Sequence, residues 1–307
     1  MADLTPGAGG RLPTWELIDD PQAFLDDVGD VLAADPVRAT VVATTARRLA
    51  DGAARGEPAP DHPCWFAVAR DDAGAVAGVA MRTAPHPPHQ AYLMAASAPA
   101  AAALADLLLE RGEVVPAANG DLVPTRAFVD RVAGRTGGAV TVVRPSRLFE
   151  LGTLAPPDDP PAGEPRPVTP AGVDLAHRWF AGCARESDLQ AGRAPRDSVP
   201  QHTREQVAAR VEAGQLWFWE VHGVPVSMVG HIGPALGVAR IAPVFTPAEH
   251  RGRGYAGALV AHVSAVLRDA GHRVTLFTDL ENPVSNALYE RLGYETVVDM
   301  AELRIVP

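Results

Sequence analysis

Gly252, Gly254 and Gly257 stand in the spacing GxGxxG inside residues 245–260, FTPAEHRGRGYAGALV. That pattern often marks a turn whose backbone wraps the pyrophosphate of a dinucleotide. The same letters contain Arg251-x-x-Gly254-x-Ala256, an anion cradle of another kind. In it the glycines allow close approach, unbonded amides at a helix amino terminus face the anion, and Arg251 and Arg253 add charge. The surroundings distinguish the two. A dinucleotide fold places its first glycine almost directly after a strand and needs several more βα units to build the sheet. Here residues 246–251 separate the strand-like Phe245 from Gly252, and only about fifty residues follow the loop. Asp279 falls near the spacing of a ribose-binding acid, but the remaining chain is too short for that sheet. The loop therefore reads as a pyrophosphate cradle outside a dinucleotide fold.

The elements around the loop follow from periodicity. Ala256, Leu259, Val260, Val263 and Leu267 lie on one face of a helix that ends near Gly271. Before the loop, residues 174–187 have helical spacing, while 216–221, 224–231 and 237–245 read as strands. After it come a short buried strand at 274–278, a helix over 283–292 and a last strand at 296–306. Asn282 caps that second helix, Pro283 opens it and Gly293 stops it. Residues 152–169 are proline-rich and aperiodic, which suits an extended linker. The expected organisation is a first domain at 1–152, a linker at 153–167 and a second domain at 168–307. The first half repeats the rhythm, with helices before Ala50, strands at 65–70, 76–83 and near Tyr92, a helix at 100–111, and strands near Val140 and Leu148. The class is α/β, of the α+β kind, with a mixed and mostly antiparallel sheet in each half.

Val244-Phe245-Thr246-Pro247 followed by Arg251-Gly252-Arg253-Gly254-Tyr255-Ala256 resembles the acyl-coenzyme A loop of the GNAT N-acyltransferase superfamily. Downstream, Asn282-Pro-Val-Ser285-Asn286-Ala-Leu-Tyr289 through Gly293-Tyr294 resembles that superfamily's second cofactor motif. The resemblance covers about residues 168–307. It implies acetyl-coenzyme A as co-substrate, with no metal, held by Val244, Phe245, Arg251, Gly252, Arg253, Gly254, Tyr255, Ala256, Asn282, Ser285 and Asn286. Pro243 removes a ladder donor, so the strand should bulge or part from a neighbour there. The resemblance implies the same splay, into which the pantetheine arm adds beside Val244 and Phe245. At the comparable place the first half reads Ala95-Ala96-Ser97-Ala98-Pro99-Ala100, without the arginine or the glycines. It is thus expected to be a degenerate tandem copy that binds no coenzyme A and supports or covers the acceptor site.

Acyl transfer to an amine needs a neutral nucleophile, a stabilised oxyanion and a proton for the departing thiolate. Tyr289, with a reference pKa of about 10, keeps its proton at neutral pH. The resemblance gives it the proton-donor role, and packing is the other reading. Asn282 can serve as cap and cofactor contact together. No acid lies in 237–241, the strand segment where some relatives carry one. Glu186 is the candidate base, because Trp179, Cys183 and Glu186 share a helical face and an acid among apolar groups has a raised pKa. Glu220, His231, Asp279 and a bound water are alternatives. Trp217 and Trp219 point to one face of their strand and Phe218 to the other, as core or as acceptor-pocket wall. Arg240 holds an acceptor carboxylate or pairs with an acid.

Composition narrows the classes. A net charge of −10 disfavours phosphate-backbone binding. All 27 basic residues are arginine, so no lysine is present to be acylated. Two cysteines without ligand spacing indicate neither a disulfide framework nor a structural metal. Neither an export signal nor a membrane helix is recognisable, and the reading is a cytoplasmic protein, monomer or homodimer, without nucleic acid or membrane partners. The expected activity is N-acetylation of a small-molecule amine. The rival is a non-catalytic acyl-coenzyme A sensor or interaction protein.

Overall fold

The computed structural model describes residues 12–190, 192–193 and 202–307, which form two compact units. In chain order the elements are β1 (Thr14–Ile18), α1 (Pro21–Ala34), α2 (Thr40–Ala54), β2 (Trp65–Arg70), β3 (Val76–Arg82), β4 (Ala91–Met94), α3 (Ala98–Glu110), β5 (Ala117–Asp121), α4 (Leu122–Thr136) and β6 (Ala139–Leu151). There follow β7 (Glu164–Pro167), α5 (Val173–Gln190), α6 (Arg204–Glu212), β8 (Leu216–Val221), β9 (Val224–Ala235), β10 (Val238–Phe245), α7 (Tyr255–Asp269), β11 (Arg273–Asp279), α8 (Pro283–Arg291) and β12 (Tyr294–Val306). The mixed α/β class with largely antiparallel sheets is as expected.

The division of the chain differs from the expected one. Unit 1 takes the described residues up to Asp35, Val41–Pro145 and Asp299–Pro307; unit 2 takes Pro36–Thr40 and Ser146–Val298. The boundaries at 152 and 168 are therefore displaced, because β6 and β12 each cross from one unit to the other. Nor is 153–167 a linker. Within unit 2, β7 pairs antiparallel with β8, Gly152 N–H donates to Gly293 O at 2.9 Å, and Ala155 N–H donates to Leu292 O at 3.1 Å. Prolines are tolerated there because β7 is an edge strand.

Unit 1 orders its strands β1-β2-β3-β4-β5-β12, with β4 and β5 paired parallel. The carboxyl-terminal part of β12 pairs antiparallel with β5, from Met300 opposite Asp121 to Arg304 opposite Ala117. Ala301 and Leu303 are buried there with Leu93, Leu104, Leu108 and Phe128. Unit 2 orders its strands β6-β11-β10-β9-β8-β7, with β10 and β11 parallel. One face carries α7 and α8 over Trp219, Val229, Ile241 and Leu276; the other carries α5 and α6 over Leu216, Phe218 and Met228. The alternation of Phe218 and Trp219 between those clusters is the expected pleat.

The two parallel pairs end differently. In unit 1 the ladder runs to Leu93 opposite Gly120, one residue short of the end of β4. A Cβ on Gly120 would stand 2.1 Å from Leu93 O, so the strands are closed on each other. Asp121 Oδ2 accepts from Ala95 N at 2.7 Å, and a carboxylate thus already meets the turn before α3. In unit 2 the ladder stops at Ile241 opposite Leu276, although β10 continues to Phe245 and β11 to Asp279. The β9/β10 register also shifts between Ile241 and Val244. Pro243 sits inside that shift, where a missing N–H does least harm to the ladder.

Candidate active site

The divergence of β10 and β11 opens toward the loop that precedes α7. Gly252 (φ +72°) and Gly254 (φ +81°) take the left-handed region, and Gly254 is the residue before the first turn of α7. The first intrahelical bond is Ala258 N–H to Gly254 O at 3.0 Å, so the amides ahead of it have no helical acceptor. The loop is braced from behind. Ser227 Oγ donates to Phe245 O at 3.1 Å and lies 2.9 Å from Thr246 Oγ1, and Arg251 Nε donates to Thr246 O at 3.0 Å. Arg253 is exposed, and the Tyr255 side chain is buried in the cluster under α7.

Arg251 and Glu186, expected in separate roles, meet each other: Arg251 Nη2 lies 2.7 Å from Glu186 Oε2. Glu186 is thus not an acid among apolar groups, and the ground given for it as base falls. Its helix does face the site. Trp179 packs on Phe245 at 5.8 Å between ring centroids, a Cβ on Gly182 would stand 3.5 Å from the Phe245 ring, and Cys183 Sγ lies 3.7 Å from Val244 O.

On the other side, Asn282 Oδ1 caps α8 by accepting from Ser285 N at 3.1 Å. Asn286 Nδ2 donates to Asp279 O at 3.1 Å and to Leu280 O at 3.2 Å, tying α8 to the end of β11. Asn286 Oδ1 and Thr278 Oγ1 are buried without a hydrogen-bond partner among the described residues. Both belong to the strand end and helix that border the divergence, and a ligand with amide donors suits them. Tyr289 is 6% exposed, edge-on to Tyr294 at 5.9 Å. Burial, with Cys183 adding to it, pushes its phenol well above the ordinary value, so it keeps its proton.

Residues 176–294 match the model of the Acetyltransferase (GNAT) family. The chain carries a GNAT acetyltransferase domain. An acetyltransferase of the GNAT family from Colwellia psychrerythraea superposes with a TM-score of 0.54 at 10% identity, covering 95% of this chain and 100% of that one. A GCN5-related N-acetyltransferase from Sphaerobacter thermophilus gives 0.54 at 18% identity over 96% of each chain. A Drosophila protein gives 0.61 at 15% identity, covering 96% of this chain and 99% of that one. At these identities the likeness is one of fold, and its extent along the chain fits a tandem arrangement. No curated protein matches the sequence.

Within the GNAT domain the alternative bases fare unequally. Asp279 pairs with Arg193 and accepts from Glu281 N at 3.0 Å. Glu220 lies on β8 opposite Pro225 and Glu164. Burial pushes the pKa of His231 down, and its Nδ1 is buried without a partner among the described residues. Arg210 was not anticipated. Its Nη2 donates to His231 O at 2.8 Å and to Ala242 O at 2.6 Å, taking up carbonyls beside the bulge. The usable signal was Thr203-x-x-Gln206, which forms a capping box and starts α6. Among the described residues no helix is long and apolar enough to cross a membrane, and no group of three His, Cys, Asp or Glu could hold a metal.

Proposed function

We propose that the GNAT domain transfers an acetyl group from acetyl-coenzyme A to the amine of a small molecule by direct attack of that amine. The observation that carries this is the parting of β10 from β11 after Ile241, opening beside the unbonded first turn of α7. Bound acetyl-coenzyme A would supply an activated carbonyl and a sulfur leaving group. The amides ahead of Ala258 would bind the pyrophosphate, the main chain near Val244 and Phe245 would orient the pantetheine arm, and Tyr289 would hold a proton for the sulfur. The site lies in unit 2, and the closed β4/β5 pair of unit 1 leaves no comparable gap.

Gly254→Val tests the cradle. A Cβ there meets only Pro161, at 3.8 Å, so the strain comes from φ +81°. A non-glycine residue in that region costs about 1–2 kcal/mol. Calorimetry should therefore show acetyl-coenzyme A affinity down roughly 5- to 30-fold. Unchanged affinity would sink the assignment, and tight saturable binding of NADH would revive the dinucleotide reading. Free-thiol release across a panel of amines separates the enzyme from the rival sensor, which would bind the thioester and release nothing.

Titration of the whole chain should saturate at one coenzyme A. A second equivalent would show that Asp121 and the closed ladder of unit 1 do not exclude the ligand.

A further inference from the structure

We infer that Glu186 receives the ammonium group of the acceptor once coenzyme A has drawn Arg251 away from it, so that the GNAT domain takes cationic aliphatic amines, and takes them after the cofactor. This deepens the acyl-transfer reading and rests on it. Arg251 belongs to the loop before α7, where its Nε donates to Thr246 O at 3.0 Å and its Nη2 lies 2.7 Å from Glu186 Oε2. Glu186 belongs to α5, one turn beyond Gly182 and Cys183, which meet the Phe245 ring and Val244 O. α5 lies on the face of the sheet opposite α7, with Trp179 and Phe245 packed into the cluster beneath it. The clasp therefore joins the anion cradle on one face of the sheet to the helix that covers the end of β10 on the other.

The pairing of the neighbouring acids sets Glu186 apart. Asp188, Asp279 and Glu281 all pair with Arg193, which lies outside the cradle. Glu186 pairs with a residue of the cradle itself, so an entering pyrophosphate competes for its counter-ion. The two side chains are 33% and 30% exposed, and an ion pair so open to water contributes little. A guanidinium on a phosphate makes charge-assisted, bidentate hydrogen bonds, which are stronger. The exchange is thus favoured for Arg251, and it leaves the Glu186 carboxylate without that cation. An aliphatic amine is charged at neutral pH, as the lysine reference of about 10.4 shows, and can take the vacated place. An arylamine is uncharged there and cannot. Until the cofactor arrives, Arg251 occupies the position an ammonium would need, so the amine follows the cofactor.

The test has two arms, both on the full chain. Calorimetry with coenzyme A, and with inorganic pyrophosphate as a probe of the cradle alone, compares wild type with Glu186→Gln, Arg251→Gln and the double variant. Glu186→Gln should tighten both ligands roughly 2- to 5-fold, the range for a part-exposed ion pair that no longer competes. That gain should vanish in the Arg251→Gln background. A clasp that only braced the fold would give the opposite sign. In the second arm, thiol release gives kcat and KM for a panel of aliphatic amines and arylamines. Glu186→Gln should raise KM for the aliphatic amines roughly 10- to 100-fold, the range for hydrogen bonds to charged groups, and far less for the arylamines. Glu186→Asp should recover part of the loss, and initial rates should show the amine adding second. Weaker or unchanged ligand binding in Glu186→Gln, a gain that persists without Arg251, or an equal loss for both amine classes overturns the inference. Failure of every amine to release thiol would instead overturn the acyl-transfer reading, while the pyrophosphate titrations would still decide the exchange.

Discussion

Tyr289→Phe should lower turnover by roughly 10²- to 10⁴-fold while leaving acetyl-coenzyme A affinity nearly unchanged, if proton delivery to the departing thiolate limits the rate. The substitution keeps the ring that packs against Tyr294 and removes only the hydroxyl. The site suits a donor rather than a base, because burial raises the phenol pKa and holds the proton in place until a thiolate forms. The hydroxyl makes no hydrogen bond among the described residues, so its loss leaves no partner stranded there and folding should survive. By contrast Tyr294 lies 2.7 Å from Ser264 Oγ, and Tyr294→Phe serves as the packing control with normal turnover. Steady-state rates and calorimetry on the same preparations, with thermal melting alongside, separate the outcomes. Near-normal turnover on the true acceptor would move the proton to water or another group.

The second large effect is on stability. Leu303→Ala should destabilise the protein by about 2–5 kcal/mol, the range for a buried leucine that leaves a cavity. Leu303 is fully buried in unit 1, on the stretch of β12 that pairs with β5. A melting-point drop on the order of 5–15 °C follows for a unit of this size. Val306→Ala, at a position 36% exposed, should change little. Scanning calorimetry would also show which transition moves. A Leu303→Ala shift confined to the unit that holds 146–298, or no shift at all, would contradict the assignment of this strand.

The second half was largely legible because its signals are local. The helix after the loop shows an apolar stripe, and Asn282, Pro283 and Gly293 punctuate α8. The splay was legible from Pro243 because a proline has no ladder donor. What escaped depends on partners distant in sequence. β5 reads Ala-Ala-Asn-Gly-Asp, with no strand propensity, and is held by β4 on one side and β12 on the other. β7 reads Glu-Pro-Arg-Pro and is a strand only because β8 supplies one ladder. The clasp between Arg251 and Glu186 spans 65 residues and overrides the apolar surroundings inferred from helix spacing alone. Arg210 was missed with its helix, since α6 is short and its residues are mostly polar.

The crossing of β12 into unit 1 also sets an order of assembly. On the ribosome β5 is made with one edge bare, and the stretch from Asp299 that covers it arrives about 180 residues later. At roughly 5–20 residues per second that delay is on the order of 10–40 s. Every segment of unit 2 precedes Asp299, so the nominally second unit can close first while the first waits with an open strand edge. Unpaired edges are where chains aggregate, and a nascent chain stalled before Asp299 would expose this one indefinitely. Completion of unit 1 is thereby made conditional on synthesis of unit 2, and a chain ending before Asp299 is expected to leave the β5 edge uncovered.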